Sequence, residues 1–445
     1  MKGCKAVGKL PFSIALLGGF QWLFFMFANT VVIPISIGGA FGLEQAEIVS
    51  AIQRSFIFTG IACILQGLIG HRYALMEGQS GVWWGVILSL TATASTLNME
   101  LTTIGGSIAV GAIISGLLIS ILGMLGLGNL LKKWFTPVVM FVFLLLLANQ
   151  LIYIFLKGML GLNHSEYIDV RIACFSLVLA AITIFLNVKG KGVISNLSLL
   201  IGMVVGWIGA VLMFPHETVN IVKTTPFLTW FPWGEPSLEW GIVLTVVITG
   251  LLNTTNTIAT LKGAEDIYER ETEPKQYRAS LMLSGGYTSL SGILGLVPYA
   301  PYASSLGFIQ STGIKDRLPF FIGSILFIII GAIPALSAFF STIPHSVGNT
   351  ILFVAYLQLF RSALRNIEGL QFTSKTIYRI ALPALLGMSI MNLPNEAFTK
   401  IPVLIQPLVS NGLLMGILAA LLIEAIYYYS ESRRKIVEKN QSLGQ

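Results

Sequence analysis

The stretch Val138-Val-Met-Phe-Val-Phe-Leu-Leu-Leu-Leu-Ala148 is an uninterrupted apolar run, and Leu413–Ile423 is a second run of the same kind. A strand that spans a membrane in a β-barrel alternates apolar and polar residues. A helix that spans a membrane instead needs about 20 consecutive, mostly apolar residues. The continuous runs therefore predict an all-α polytopic membrane protein.

The composition of the whole chain supports the same fold class. Of its 445 residues, 55% are hydrophobic and 11% are charged, and the mean hydropathy is +0.81. Soluble proteins carry about 25% charged residues, so a soluble enzyme is excluded. The sequence contains no Walker loop, Rossmann fingerprint, zinc motif or nucleophile elbow. We therefore expect no cofactor, no metal and no enzymatic activity.

Fourteen candidate spans can be placed along the chain. They lie at residues 12–37, 47–69, 74–97, 102–126, 135–156, 170–188, 192–214, 238–260, 277–296, 298–313, 318–341, 343–364, 376–393 and 403–428. With both termini in the cytoplasm, 22 of the 27 Lys and Arg residues fall on the inner side, and four fall on the outer side. This asymmetry follows the positive-inside rule. It predicts a multi-pass inner (cell) membrane protein, and it explains the net charge of +7 without nucleic-acid binding.

The spans divide into two sets of seven around the loop at 215–237, so the two halves have opposite orientations in the membrane. The third span of each half opens with an irregular stretch, Leu75-Met-Glu-Gly-Gln-Ser-Gly81 in one and Val297-Pro-Tyr-Ala-Pro-Tyr-Ala-Ser-Ser305 in the other. Either stretch alone favours an ordinary kinked helix. Broken helices at matching positions of an inverted repeat instead indicate the midplane binding site of a transporter. We expect each to be part extended strand and part short helix.

Two charged residues lie deep in predicted spans. Glu77 and Arg54 are expected at similar depths, about 13 Å and 10 Å from opposite surfaces, and a charge at such depth costs about 3 kcal/mol or more unless it is paired or hydrated. One interpretation is a structural ion pair between Arg54 and Glu77. The functional interpretation is that Glu77 accepts N–H groups of a substrate or carries a proton.

Polar side chains at three further places are candidates for substrate binding. Asn253 and Asn256 share one face of the eighth span, and an amide offers both donors and acceptors to a planar heterocycle. Hydrogen bonding between helices is the alternative for either residue. The short helices of the two broken spans would point free N–H groups and positive dipole ends into a cavity. The other candidates are Gln79, Ser80, Ser304, Ser305 and, in the first span, Gln21.

Five short motifs resemble those of the nucleobase/ascorbate transporter family, the xanthine and uracil permeases. Gln21-Trp22 stands where the family has Gln-His, and Phe135-Thr-Pro-Val-Val139 resembles its Pro-Pro-Val-Val. Ile343-Pro-His-Ser-Val-Gly348 resembles its Ile-Pro-x-x-Val-Gly-Gly. The most specific match is Gly292-Ile-Leu-Gly-Leu-Val-Pro298 with Tyr302-Ala-Ser-Ser-Leu-Gly307, which resembles Gly-x-x-Gly-x-x-Pro with Tyr-Gly-Glu-Asn-x-Gly.

The resemblance implies a division of the chain into two domains. Segments one to four and eight to eleven (residues 1–126 and 215–341) would form a core domain. Segments five to seven and twelve to fourteen (127–214 and 342–429) would form a gate domain, followed by a cytoplasmic tail at 430–445. Substrate would bind between the extended strands of segments three and ten, with alternating access by movement of core against gate.

The chain departs from the family at its acidic positions. By the motif frame, two glutamates of the family are Asn253 and Ser304 here, and the histidine of the first helix is Trp22. Glu77 is the candidate replacement. We predict a purine permease, for a base such as xanthine, hypoxanthine, guanine or urate, that works by proton symport. The alternatives are a uracil or pyrimidine permease, an uncoupled facilitator and a transport-dead nucleobase receptor. The expected partners are the nucleobase, H⁺, membrane lipid and a second copy of the chain through gate helices.

Overall fold

The computed structural model describes residues 11–97, 99–126, 136–162, 167–190, 193–214, 226–340, 342–402 and 404–443. The N-terminal lysines, the start of the predicted gate domain with Phe135, and residues 215–225 of the central loop lie outside the described residues.

The described chain is mostly helical, and both halves follow a similar order of elements. The first half contains α1 (Phe12–Thr30), α2 (Val32–Phe41), α3 (Gln45–Leu68), β1 (Glu77–Gln79), α4 (Gly81–Ala92), α5 (Ala94–Leu97), α6 (Leu101–Met124), α7 (Pro137–Met159), α8 (Val170–Lys189), α9 (Val193–Asn196) and α10 (Ser198–Met213). The second half contains α11 (Trp240–Tyr268), α12 (Pro274–Leu294), β2 (Tyr299–Pro301), α13 (Ser304–Thr312), α14 (Arg317–Ala332), α15 (Pro334–Phe340), α16 (His345–Asn366), α17 (Ser374–Met391), a 3-10 helix (Asn395–Phe398), α18 (Gln406–Val409) and α19 (Gly412–Leu443).

Fewer helices pass as membrane spans than the sequence predicts. Within the described residues, seven helices are long and apolar enough to cross a membrane, or eight if α14 and α15, which are bent by 92°, form one broken span. The difference from fourteen has a physical basis. The third and tenth predicted spans are split into a strand and a short helix, and α12 and α16 carry polar and charged side chains along their length. The count of fourteen stays a prediction.

The irregular stretches of the two halves pair with each other. β1 and β2 form an antiparallel two-stranded sheet in the register Glu77↔Pro301, Gly78↔Ala300 and Gln79↔Tyr299. All residues of both strands are buried. The amide of Ser80 donates to the Pro298 carbonyl at 2.8 Å, which extends the pairing by one bond. As predicted, each stretch is a strand followed by a short helix, α4 after β1 and α13 after β2.

Contacts between the long helices fall mainly into two groups. In one group, α1 and α3 pack on α14, while α11 and α12 pack on α6. In the other group, α7 packs on α16, α8 packs on α10, and α17 packs on α19. The helices α6 and α12 approach each other closely, because a Cβ atom on Gly285 would lie 2.6 Å from the carbonyl oxygen of Gly116. A Cβ at this position is excluded unless the helices move apart.

A buried ion pair joins three helices of the second group. Within the described residues, the guanidinium group of Arg379 on α17 contacts both carboxylate oxygens of Glu424 on α19, at 2.5 and 2.9 Å. Thr136, the N-cap residue of α7, donates its hydroxyl to Glu424 at 2.7 Å. The ring of Tyr427 stacks beneath the guanidinium group at 3.8 Å. Glu424 is 2% exposed, so its carboxylate is buried among the helices.

We expect Glu424→Gln to destabilise the protein, because it removes a charged partner from a mostly buried guanidinium group. Hydrogen bonds to charged groups contribute about 1.5–3 kcal/mol, and we expect a loss of unfolding free energy in this range. The measurement is the thermal unfolding midpoint of the protein purified in detergent. Glu396→Gln is the matched control, because Glu396 is exposed. Equal midpoints for the two variants would contradict the role of the ion pair.

Candidate functional site

Asn253 is the centre of a hydrogen-bonded cluster that joins α11 to both strands. Its Oδ1 accepts from the Ser80 hydroxyl at 2.6 Å and from the Asn256 side-chain amide at 3.0 Å. Its Nδ2 donates to the carbonyl oxygen of Tyr299 in β2 at 3.1 Å. The structure therefore brings three predicted site residues, Ser80, Asn253 and Asn256, into direct contact. Asn253 is buried and Asn256 is half-buried.

Ser80 also begins α4, which places a helix N-terminus at the cluster. The Ser80 side chain accepts a hydrogen bond from the amide of Val82 at 3.3 Å, as an N-cap residue does. The N-terminus of a helix carries partial positive charge and unpaired N–H groups. Gly81 brings this end close to the second helix group, because a Cβ atom there would lie 3.2 Å from the hydroxyl of Tyr356 on α16. Donors from α4 and α11 thus converge between the two groups.

Tyr302 covers the outer face of β1. Its hydroxyl donates to the carbonyl oxygen of Gln79 at 2.5 Å, and its amide donates to the Met76 carbonyl at 2.8 Å. A Cβ atom on Gly78 would lie 2.7 Å from the Tyr302 ring, so only glycine fits beneath the ring without movement. In the sequence, Tyr302 stands out only as part of the motif Tyr302-Ala-Ser-Ser-Leu-Gly307. Its position directly after a predicted strand was the available signal that it belongs to the site.

The serines at the start of α13 have different surroundings. Ser305 is fully buried and its hydroxyl accepts from the amide of Met76 at 3.1 Å, so it supports the strand pair from behind. Ser304, the first residue of α13, is exposed. The structure therefore places Ser305 in the framework of the site and Ser304 on an open surface.

Glu77 and Gln79 lie on the opposite face of β1 from Ser80. Side chains alternate along a strand, so Gly78 and Ser80 face Tyr302 and Asn253, while Glu77 and Gln79 face α3 and α12. Gln79 donates to the Ser55 hydroxyl at 3.1 Å. Glu77 and Gln79, two predicted substrate-binding residues, therefore lie in the strand next to the cluster, but their side chains point away from it.

The carboxyl group of Glu77 is fully buried in a polar pocket. Its Oε1 accepts from the Ser284 hydroxyl at 2.7 Å, and Ser284 in turn accepts from the Gln66 side-chain amide at 3.2 Å. The Cys63 thiol contacts the backbone of Glu77, at 3.3 Å from its nitrogen and 3.4 Å from its oxygen. Glu77 Oε2 is buried and has no hydrogen-bond partner among the described residues. Ser284 was not identified from the sequence, since an isolated serine in a helix gives no distinguishing signal.

The predicted ion pair between Arg54 and Glu77 is not formed. Arg54 donates to the Phe227 carbonyl at 3.2 Å and to the Thr229 hydroxyl at 2.8 Å, both in the loop before α11. The reason is distance along α3. Cys63 touches Glu77, and Arg54 lies nine residues earlier, which is roughly 14 Å at 1.5 Å per residue. The sequence predicted similar membrane depths for Arg54 and Glu77. In the structure, Glu77 lies beside Cys63, near the C-terminal end of α3, whereas Arg54 points to the loop before α11.

Gln21 stays apart from the asparagine cluster in its hydrogen bonding. It is half-buried in α1, and its Oε1 is buried without a partner among the described residues. Its neighbour Trp22 is fully buried against the rings of Phe308 on α13 and Phe320 on α14, at centroid distances of 4.6 and 5.0 Å. Trp22 therefore packs α1 against the helix that follows β2.

His71 is a buried histidine in the turn between α3 and β1, outside the predicted spans. Burial lowers the pKa of His71 to about 3. Its Nδ1 accepts from the amide of Tyr73 at 3.1 Å, and its carbonyl accepts from Gln276 at 2.6 Å. His71 is consequently neutral at pH 5 to 8 and does not respond to a change of pH within that range.

The family model and the similar curated proteins agree that the chain resembles permeases. Residues 13–396 match the model of the xanthine/uracil type described as "Permease family". "Putative purine permease YwdJ" of Bacillus subtilis is 29% identical over 420 residues, covering 91% of this chain and 94% of that protein. The xanthine permease of Bacillus subtilis is 22% identical and covers 95% of both.

Solved structures show a related fold. The transmembrane domain of the cyanobacterial bicarbonate transporter BicA has a TM-score of 0.63 at 16% identity, over 92% of this chain and 96% of that one. Murine Slc26a9, an anion transporter in its inward-facing state, has a TM-score of 0.65 at 11% identity, over 95% of this chain and 70% of that one. At these identities the likeness concerns the fold alone.

We expect Ser284→Ala to destabilise the protein, because Glu77 Oε1 then loses its donor in a buried pocket. A buried polar group left without a partner costs about 1–3 kcal/mol. Ser280→Ala is the matched control one turn away on α12, since the buried Ser280 hydroxyl has no partner among the described residues. The thermal unfolding midpoint should fall for Ser284→Ala and stay near wild type for Ser280→Ala. A fall of equal size in both variants would contradict the assigned contact.

Proposed function

The chain belongs to the xanthine/uracil permease family, a family of multi-pass membrane transporters, and we propose that it imports a purine nucleobase. The observation that carries this proposal is the Asn253 cluster. Its amide presents an acceptor and a donor at the point where two strands and the N-terminus of α4 meet. The edge of a purine such as xanthine, hypoxanthine, guanine or urate offers the complementary mixture of N–H and carbonyl groups.

In the proposed complex, the base lies beside Asn253 and exchanges hydrogen bonds with the cluster. The Asn256 amide and the Ser80 hydroxyl now satisfy Asn253 Oδ1, and a ring N–H would replace one of them. The N–H groups of the first turn of α4, other than that of Val82, which donates to Ser80, would bind a ring carbonyl. Ser304 and Gln21 are proposed at the edge of the bound base, while Ser305 and Gln79 hold the strands in place.

The proposal includes the fourteen-segment inverted repeat and the two domains with the boundaries predicted from the sequence. It is supported by a symmetry of the helix contacts. In the predicted repeat, α1 corresponds to α11, α3 corresponds to α12, and α6 corresponds to α14. The contact of α1 with α14 then matches that of α11 with α6, and the contact of α3 with α14 matches that of α12 with α6. In the same way, the contact of α8 with α10 matches the contact of α17 with α19. Under the same proposal, both termini are cytoplasmic and a second copy packs through gate helices.

Movement of core against gate would occur where α4 meets α7 and α16. The Gln150 side chain on α7 donates to the carbonyl oxygen of Gly85 on α4 at 2.9 Å. Trp84 packs against Phe155 and Tyr356 at 5.2 and 6.4 Å between ring centroids. The boundary between α4 and the helices α7 and α16 is therefore held by ring contacts and by the hydrogen bond of Gln150. It lies next to Ser80, the N-cap residue of α4. Its opening would expose the Asn253 cluster to one side of the membrane.

Glu77 is the proposed proton carrier. It is a buried carboxyl group whose second oxygen has no partner among the described residues, and Arg54 is held elsewhere. An ionised carboxylate without a paired charge is costly in a low-dielectric interior, so a proton on Oε2 would compensate for the missing counter-charge. The backbone of β1 connects this group to Ser80, which gives a short route from protonation to the binding face. The alternative is an uncoupled facilitator.

The test of function is uptake into proteoliposomes. Labelled xanthine, hypoxanthine, guanine, urate, uracil and ascorbate are compared with and without an inward proton gradient. We expect saturable purine uptake, and a kcat/KM for Asn253→Ala that is about ten- to a hundred-fold lower, as the loss of buried hydrogen bonds implies. Asn187→Ala is the control, because Asn187 bonds to Ser198 in the other helix group. Uptake of none of these compounds, with specific purine binding retained, would favour a receptor; preference for uracil would overturn the purine assignment.

We expect Glu77→Gln to remove the effect of the proton gradient, because glutamine keeps the size of the side chain but cannot release a proton. Gradient-driven purine uptake should fall to the level seen without a gradient. Exchange of labelled for unlabelled purine should persist, which shows that the variant is folded. Glu396→Gln, at an exposed site, should behave as wild type. Unchanged gradient dependence in Glu77→Gln would refute the coupling role.

A further inference from the structure

Apolar side chains of α1, α10, α14 and α15 line a cavity of about 640 Å³ away from the Asn253 cluster, together with Thr342, whose hydroxyl donates to the Phe339 carbonyl. Leu23 and Phe27 of α1 form one wall, Met203 and Trp207 of α10 form the opposite wall, and Phe340 of α15 closes one end. The Phe340 ring lies 4.5 Å from that of Phe27 between centroids. The volume falls within the range of about 300–1,000 Å³ that is typical of small-molecule sites.

The cavity is long enough for one hydrocarbon chain. It is lined along α10 from Leu200 to Leu212, a length of about 18 Å at 1.5 Å per residue. The hydrocarbon core of a bilayer is about 30 Å thick, so the cavity extends through slightly more than one leaflet. The acyl chain of a phospholipid in that leaflet runs over the same depth.

The mouth of the cavity is continuous with the lipid-facing surface of α10. Val204, Ile208 and Leu212 line it and are 46%, 58% and 77% exposed. In a membrane protein these side chains face hydrocarbon rather than water. An apolar cavity also excludes water and polar ligands, since it offers them no hydrogen-bond partners. A molecule that occupies the cavity would therefore enter from the lipid bilayer.

We propose that this cavity binds one acyl chain of a membrane phospholipid. The site lies between α1 and α15 on one side and α10 on the other, so the two helix groups both contact the chain. A bound chain fills the space into which α10 would move toward α1. Lipid composition would thereby set how closely the two groups approach. The inference depends on membrane insertion and does not depend on the identity of the transported base.

The experiment uses phosphatidylcholine with a photoreactive diazirine in the acyl chain, in liposomes that contain the full chain. Labelled peptides are mapped by mass spectrometry. Val204→Phe places a larger side chain in the mouth of the cavity and obstructs it, and Val205→Phe is the matched control, because Val205 is on the same helix, is also 46% exposed and does not line the cavity. Labelling of Leu23, Phe27 and Phe340 should occur in wild type and Val205→Phe, and should be lost in Val204→Phe.

Two results would overturn the proposal. One is equal labelling of these three residues in both variants, which would indicate lipid contact unrelated to the cavity. The other is absence of their labelling in wild type, whether the cavity stays dry or is covered by a second copy of the chain, which cross-linking between copies would reveal. Thermal unfolding checks that each variant is folded. Val211→Phe, which also places a larger side chain in the cavity, replaces Val204→Phe if that variant fails to fold.

Discussion

The antiparallel pairing of β1 with β2 is the constraint on which the rest of the site depends. Extended backbone inside an apolar environment is tolerated only if its N–H and C=O groups are satisfied by protein. Each strand has three residues and finds its main partner in the other strand. Asn253 satisfies the carbonyl of Tyr299, and Tyr302 satisfies those of Met76 and Gln79. Without the other strand, each strand would have unsatisfied backbone groups, so the pairing of β1 with β2 joins the two halves of the chain.

The pairing also places two different polar groups on opposite faces of β1: the neutral cluster around Asn253 and the carboxyl group of Glu77. Ser80 faces Asn253 and the start of α4, where neutral donors and acceptors converge. Glu77 faces Ser284 on α12, where its carboxyl group is enclosed and, within the part of the chain that the structure describes, forms no salt bridge. A ligand on one face and a proton on the other would both act on the position of the same three residues. The arrangement offers a physical basis for coupling in a chain that has Asn253 on α11 and Ser304 at the start of α13.

Several features could be predicted from the sequence because they follow from local patterns. Continuous apolar runs indicated helices, and paired Gly- and Pro-containing stretches indicated the two strands. The spacing of Asn253 and Asn256 placed both on one helix face. The partners of Glu77 and Arg54 could not be derived in the same way. Ser284 and Thr229 are 207 and 175 residues away from them in sequence, and the choice depends on strand register and on which face of β1 each side chain occupies.

The most direct measurement is a cryo-EM structure of the chain in lipid nanodiscs with bound xanthine. The account predicts density for a planar ring within hydrogen-bond distance of the Asn253 amide, beside Ser80 and the first turn of α4. Density for the ring on the other face of β1, against Gln79 and Ser55, or at a place that does not contact α11, would contradict it.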